Sequence, residues 1–486
     1  MLFNSYIFIF LFLPLVLLCY FTLNYMGKNR FALCILVLSS LCFYAYFNIS
    51  YLPIIIISIL VNYLLSKILL KNQQNSAISG IILFTGVIGN LFVLFYFKYF
   101  DFFISNINTL FKTDFTLKNI VLPLGISFFT FQQISYLIDS KRHKTDNYSF
   151  LEYSVFVTFF PQLVAGPIVF HDEIIPQFKD SKNHLFQINN FAPGLYIFII
   201  GLSKKVLLAD TLGTIVDWGY SSIDVLTSSD ALIVSLCYTF QIYFDFSGYC
   251  NMAHGLAQMF NINLPYNFLS PYKALSIPDF WSRWHITLTR FFRNYVYIPL
   301  GGNRKGPGKT YRNIMIVFFL SGLWHGANWT FVLWGAMHGI ANVLTKFFSK
   351  QWEKLFPVTQ WFLTFSFINI TWIFFRSDSI GQAITFLRRI VGMGDTHLSE
   401  GLLNCFYLNE FDVLERILHI PSPIHYVPPI YLVLILVFCF HLCLNHKNLY
   451  EKGFVPTIGK TILSIMLLTI CIFSLSGIST FLYFNF

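Results

Sequence analysis

A histidine flanked by tryptophans and glycines, in "SGLWHGANW" (residues 321–329), is the group in this sequence best placed to act as a catalyst. His325 follows the apolar run "NIMIVFFL" and precedes "TFVLWGAMHGI", so it occupies a position where a lipid-facing helix would carry leucine. Gly322 and Gly326 let backbone approach the ring closely, and Asn328 offers a donor and an acceptor beside it. Trp324 and Trp329 supply an apolar wall that keeps an imidazole neutral at pH 7, and a neutral imidazole in a dry space suits general-base work. His338 comes one turn after Trp334 and can face the same space.

The competing explanation is a core histidine satisfied by a carbonyl, since buried polar groups are usually paired. It serves well for His254 and His285 and less well for His325, whose surroundings are built from small and aromatic residues. Three stretches carry polar groups that lipid would not tolerate: "YTFQIYFDFSGYCNMAHG" (238–255), "PDFWSRWHITLTRFFRNYVYIPLGGNRKG" (278–306) and "SGLWHGANWTFVLWGAMHG" (321–339). A charge at mid-bilayer costs on the order of 2.5–3.5 kcal/mol. Asp245, Arg283, Arg290 and Arg293 must therefore face protein, a watery cavity or an interface. The glycines and prolines around them point to broken or re-entrant segments. In the second stretch Trp281, Trp284, His285, Leu288, Phe291 and Phe292 share a face, and the arginines mark another. That pattern predicts one short in-plane helix whose arginines meet headgroups or an anionic cofactor.

The elements that must position these groups are membrane segments. Of 486 residues, 56% are hydrophobic and 11% charged, against about 25% charged in an ordinary soluble domain. Apolar runs able to cross about 30 Å of hydrocarbon recur from Tyr6–Leu23 to Thr461–Phe484, and roughly eleven or twelve membrane segments are expected, not all full spans. The first has no basic n-region and reads as a retained span. The net charge of +10 lies in short loops between spans, where it reports topology and not nucleic-acid binding. Lys28, Arg30, Lys67 and Lys71 put the N-terminus outside, and the basic loop "GGNRKGPGKTYR" (301–312) inside. Nine cysteines are scattered singly, so buried thiols are the expectation. Cys439, Cys443 and His446 share helical spacing without a full metal-ligand set. "SIGQAITFLRRIVGM", with Arg388 and Arg389, predicts an amphipathic helix in an interfacial segment of about 376–429, before C-terminal helices over 430–486.

These motifs, with "PLGISFFTFQQISYLID" (123–139), "FPQLVAGPI" (160–168), "KKVLLAD" (204–210) and "YFDFSGY" (243–249), resemble the membrane-bound O-acyltransferase (MBOAT) family, in its bacterial polysaccharide-modifying branch. The resemblance implies one all-α integral membrane domain over residues 1–486. It would be a ring of about eleven or twelve helices, with re-entrant and in-plane helices around a central tunnel and the catalytic centre within about 238–340. It makes His325 similar to the family's catalytic histidine, with His338 and His285 in support and Trp324, Asn328 and Trp284 near the substrate. Asn294 and Asn251 stand where the family usually has acids. The closing "STFLYFNF" resembles a family tail motif, which makes Tyr483 a candidate acyl relay; an interfacial aromatic belt is the plainer explanation.

The expectation is an inner-membrane O-acetyltransferase with no permanently bound cofactor and no metal. Acetyl-CoA would dock near Arg304, Lys305 and Lys309. The acetyl group would pass to an extracytoplasmic glycan of alginate or peptidoglycan type, through a periplasmic or membrane-anchored acetyltransferase partner. D-alanyl transfer from a carrier protein and a transporter or flippase are the alternatives.

Overall fold

The computed structural model describes residues 1–72, 74–392, 395–405, 427–444, 454–475 and 481–482. Among these the chain is helical, and the one β-type contact is an isolated bridge between Phe268 and Trp284. A π-helical lead-in at Phe8–Phe12 enters α1 (Leu13–Tyr25), followed by α2 (Asn29–Ala45), α3 (Leu52–Lys71) and α4 (Ser76–Leu94). A π-turn at Phe95–Tyr99 joins α4 to α5 (Phe100–Phe111). After α6 (Ile126–Lys141) come three short helices, α7 (Phe150–Thr158), α8 (Phe160–Leu163) and α9 (His171–Lys179). The centre holds α10 (Ile188–Ser203), α11 (Asp210–Ser221), α12 (Ser228–Met259), α13 (Ile277–Arg283), α14 (Ile286–Phe292), α15 (Pro307–His325) and α16 (Trp329–Phe347). Then follow α17 (Ser349–Trp352), α18 (Pro357–Arg376), α19 (Ile380–Val391), α20 (Glu400–Asn404), α21 (Val427–Leu444) and α22 (Ile458–Ser474).

Lipid is the solvent this exterior suits. Leu18, Phe84 and Phe92 are 67%, 68% and 66% exposed, whereas Gln133, Asp245 and His338 are at most 1% exposed. Apolar outside and polar inside is the arrangement expected when hydrocarbon replaces water around a protein. Among the described residues, five helical stretches are long and apolar enough to cross a membrane: Phe8–Tyr25, Ile49–Lys71, Ser76–Phe111, Ile188–Ser221 and Pro357–Arg376. Three shorter apolar helices accompany them. Helices α12, α15 and α16 reach the length without the apolar content, because they carry the polar interior.

The interior departs from the sequence expectation in two places. The stretch 238–255 is not broken at its glycines. It lies within α12, a continuous helix of 32 residues that is buried along most of its length. Its glycines are contact sites: a Cβ on Gly201 of α10 would sit 2.6 Å from the Gly248 carbonyl oxygen, and one on Gly194 2.7 Å from that of Gly255. Both pairs repeat at seven residues, so the two helices touch backbone to backbone, which only small residues allow.

The second departure is that 277–292 forms two helices, not one. His285 stands between α13 and α14 in the left-handed region, with φ 44° and ψ 51°. A β-branched or bulky residue there is uncommon and strained. The freed backbone groups pair sideways, Leu269 N–H to Arg283 O at 3.0 Å and Ile286 N–H to Asn267 O at 3.1 Å. The arginines are also more engaged than the pattern suggested. Arg283 Nε donates to Asp279 at 2.7 Å, and Arg290 Nη2 donates to Glu173 at 2.8 Å, leaving Arg293 exposed. The predicted amphipathic helix is α19, which buries Ala383 and Phe386 and stacks Phe386 on Tyr220 at 4.8 Å.

Candidate functional site

His325 is the last residue of α15, and three features place it. Glycines weld α15 to α16: a Cβ on Gly322 would lie 2.4 Å from Phe331 O, and one on Gly335 2.4 Å from Phe318 O. Gly326 then leaves the helix in extended backbone, and Asn328 caps α16 by accepting from Thr330 N–H at 3.1 Å. The other amide atom of Asn328 donates to Asp378 O at 2.8 Å. Its side chain is therefore turned to the fold and not to the histidine, contrary to the sequence expectation.

The third feature was not legible in the sequence. The last carbonyls of a helix have no partners within it, and here neighbouring side chains supply them. Lys98 Nζ donates to Trp324 O at 2.5 Å and to His325 O at 3.3 Å, and Tyr99 Oη donates to Leu323 O at 2.8 Å. Both residues belong to the π-turn Phe95–Tyr99, an irregularity that often marks functional positions.

His325 is 2% exposed. It meets Trp324, Trp334 and Phe375 edge-on at 4.9, 5.1 and 5.2 Å between centroids. It lines a cavity of about 30 Å³ together with Lys98, the Leu122–Phe128 segment, Val164 and Trp324. That is room for a water molecule or a small reacting group. Trp324 also lines a larger apolar cavity of about 780 Å³, bounded by α4, α5, α6 and the α14 end, and so forms the partition between the two. A third cavity, about 280 Å³, runs past Arg293, Tyr297, Ser282 and Trp281 to Ser321, one turn before His325 on the same helix.

The other histidines are held differently. His338 Nδ1 receives the Trp281 indole N–H at 3.2 Å, and its Nε2 meets Thr371 Oγ1 at 3.1 Å. His285 Nδ1 lies 3.2 Å from Asn267 Oδ1, which also accepts from the Thr287 backbone and hydroxyl. Since that oxygen can only accept, His285 carries its proton on Nδ1. The ring centroids of His285 and Trp324 lie 5.8 Å apart. His325 and His338 thus both pack on Trp334, and Trp324 packs on both His325 and His285.

Trp284 packs elsewhere, stacked on Phe280 at 5.5 Å and tilted against Trp372 at 5.1 Å. Arg304 and Lys305 are exposed in the loop before α15. His325 is the last of the 19 residues of the helix that follows that loop, about 27 Å from its first residue at 1.5 Å per residue. Tyr483 lies outside the described residues. Just before it, Leu482 N–H donates to Asp245 Oδ2 at 3.0 Å and Phe481 lies under the Lys205 ammonium at 4.9 Å. Lys205 in turn bridges Asp245 at 2.6 Å and Asp210 at 2.8 Å. Cys439 and Cys443 are buried thiols, and His446 lies outside the described residues.

An apolar-clad helical body around buried histidines, tryptophans and a lysine is the form of a membrane-embedded enzyme. The model of the MBOAT, membrane-bound O-acyltransferase family, matches residues 41–377, and the chain belongs to that family. It is a multi-pass membrane O-acyltransferase. It is 43% identical to a peptidoglycan O-acetyltransferase of Helicobacter pylori, over 100% of this chain and 98% of that protein. It is 37% identical to a probable alginate O-acetylase of Pseudomonas syringae, over 82% of this chain and 77% of the relative. A teichoic acid D-alanyltransferase of Streptococcus thermophilus is 25% identical over 52% of this chain and 68% of its own.

Proposed function

We propose that this protein is an inner-membrane O-acetyltransferase that moves acetyl groups from cytoplasmic acetyl-CoA toward an extracytoplasmic glycan, with His325 as general base. Near-complete coverage of the peptidoglycan O-acetyltransferase relative supports the acetyl group and the cell-wall type of acceptor. The observation that carries the chemistry is the position of His325, buried at the end of α15 in a small cavity beside Lys98, with the basic loop at the helix's other end.

In this mechanism the coenzyme's phosphates rest on Arg304, Lys305 and Lys309. The thioester arm follows the cavity lined by Arg293, Tyr297 and Ser321. His325 removes the proton from an acceptor hydroxyl, that of Tyr483 if the tail acts as relay. The oxygen forms a bond to the thioester carbon, the carbon–sulfur bond breaks, and the thiolate takes the proton back from the imidazolium. A periplasmic or membrane-anchored partner then delivers the acetyl group to the polymer.

The test uses the full chain in proteoliposomes with labelled acetyl-CoA. His325→Ala is expected to lower thioester turnover by roughly 10²–10⁴-fold, the usual range for a lost general base. Unaltered esterification of cell glycan by His325→Ala refutes the base. Transfer only from a carrier-bound thioester replaces the donor.

A further inference from the structure

We propose that Lys98 is a second catalytic group, the cation that meets the negative charge formed on the thioester oxygen during transfer. The inference rests on the reading of His325 as base, and it begins with a count of donors. An ammonium has three N–H bonds and no acceptor. Two of them are directed at the Trp324 and His325 carbonyl oxygens, at 2.5 and 3.3 Å. Lys98 also lines the same small cavity as His325. Among the described residues no carboxylate lies within 4.0 Å of its Nζ, whereas the buried Lys205 has two.

Capping alone does not account for the charge. Tyr99, the next residue, serves the same helix end with a neutral hydroxyl at 2.8 Å from Leu323 O. Lys98 is half-buried, and taking even part of an ammonium's hydration away is a cost that a neutral capping group avoids. A half-buried cation on the wall of the His325 cavity, with no carboxylate beside it among the described residues, suits an anion that exists only in passing, and fixed donors aimed at such an anion strengthen as the bound substrate displaces water. Trp324, on the same wall, adds a buried indole N–H that has no acceptor among the described residues.

In the step proposed, His325 takes the acceptor's proton and the acceptor oxygen bonds to the thioester carbon. The carbonyl π pair moves onto oxygen, where Lys98 donates a hydrogen bond without giving up its proton. That pair then returns as the carbon–sulfur bond breaks. Lys98 ends each cycle as it began, as an ammonium.

The experiment measures turnover of labelled acetyl-CoA by the full chain. It is paired with base-labile acyl esters on the glycan of complemented cells, a readout independent of donor. Lys98→Met and Lys98→Gln are expected to lower kcat by about 10²–10³-fold, the cost of removing one oxyanion donor, with KM for acetyl-CoA unchanged. Tyr99→Phe, which loses a cap but no charge, stays near wild type. Lys98→Cys is inactive and regains turnover once 2-bromoethylamine rebuilds an ammonium there, with wild type treated in parallel for the native thiols. Wild-type kcat or ester content in Lys98→Gln overturns the proposal, as does a Cys variant shown by mass to be alkylated yet still inactive. His325→Ala separates the two ideas. If it keeps transfer while Lys98→Gln loses it, the base fails and the lysine stands; the converse result retains the base and removes the lysine.

Discussion

The indole N–H of Trp281 reaches Nδ1 of His338 at 3.2 Å, and this contact fixes the state of the histidine. An indole can only donate, so Nδ1 holds a lone pair and Nε2 carries the proton. Nε2–H in turn donates to Thr371 Oγ1 at 3.1 Å, while that hydroxyl spends its own hydrogen on Ile368 O at 2.9 Å. Both ring nitrogens are engaged in a neutral imidazole. Such a ring positions Trp281 and Trp334; it has no lone pair left for proton abstraction.

The first prediction follows from that chain of bonds. Trp281→Phe leaves Nδ1 buried without a donor and should cost about 1–3 kcal/mol of stability, with turnover reduced far less than in His325→Ala. His338→Gln can replace part of the network and should retain measurable activity. Thermal unfolding and acetyl-CoA turnover of both variants check this. Loss in His338→Gln as complete as in His325→Ala would make His338 a proton-transfer residue instead.

A second prediction concerns the ion cluster of α12. Lys205 and Asp245 are each 2% exposed at the side chain and 2.6 Å apart. Removing one partner of a buried pair strands the other, at a cost of about 3–5 kcal/mol. Lys205→Met should therefore unfold well before the Lys205→Met/Asp245→Leu double variant, which strands no charge at that pair. Equal unfolding midpoints for single and double variants would show that Asp245 is already satisfied without the lysine.

The sequence revealed residue type and periodicity well and partner choice poorly. His325 stood out because its neighbours in the chain are also its neighbours in space: Trp324 touches the ring and Gly322 brings α16 close. The N-cap role of Asn328 is open to local reading, since an asparagine directly before a helix satisfies backbone N–H groups, and this role competes with one beside the histidine. Gly248 and Gly255 are ambiguous in the sequence because a glycine marks either a kink or a close contact. The choice between these depends on Gly201 and Gly194 in another helix. Lys98 carries no local signal at the end of an apolar run. Its partners, the α15 carbonyls, are 226 and 227 residues away, and no local pattern encodes that meeting.

The glycine contacts give a third prediction. Gly201→Ala would place Cβ 2.6 Å from the Gly248 carbonyl oxygen and 2.7 Å from Met252 N, both atoms of the α12 backbone, which cannot yield locally. Overpacking of this kind costs about 1–3 kcal/mol or more. Gly89→Ala, in α4 with nothing within 4 Å of the added carbon, should instead be stabilising, by about 0.5–1 kcal/mol from helix propensity. Opposite shifts of the unfolding midpoint in the two variants are expected. A neutral Gly201→Ala would mean that α10 and α12 are not in backbone contact.

The last prediction separates donor binding from chemistry. Arg304, Lys305 and Lys309 are exposed, and the length of α15 lies between the Arg304–Lys305 loop and His325. Groups so remote from the reacting carbon, if they hold the coenzyme's phosphates, bind ground state and transition state alike, and losing uniform binding raises KM while leaving kcat in place. Arg304→Ser/Lys305→Ser is therefore expected to raise KM for acetyl-CoA several-fold, with kcat at the wild-type level. The wild-type KM should climb with ionic strength, because exposed charges are screened beyond about 8–10 Å at physiological salt. The double variant should show a flatter salt dependence. Initial rates across acetyl-CoA and salt concentrations measure both effects. An unchanged KM would move the donor's phosphates away from this loop, and a fall in kcat alone would mean that the loop acts through the position of α15.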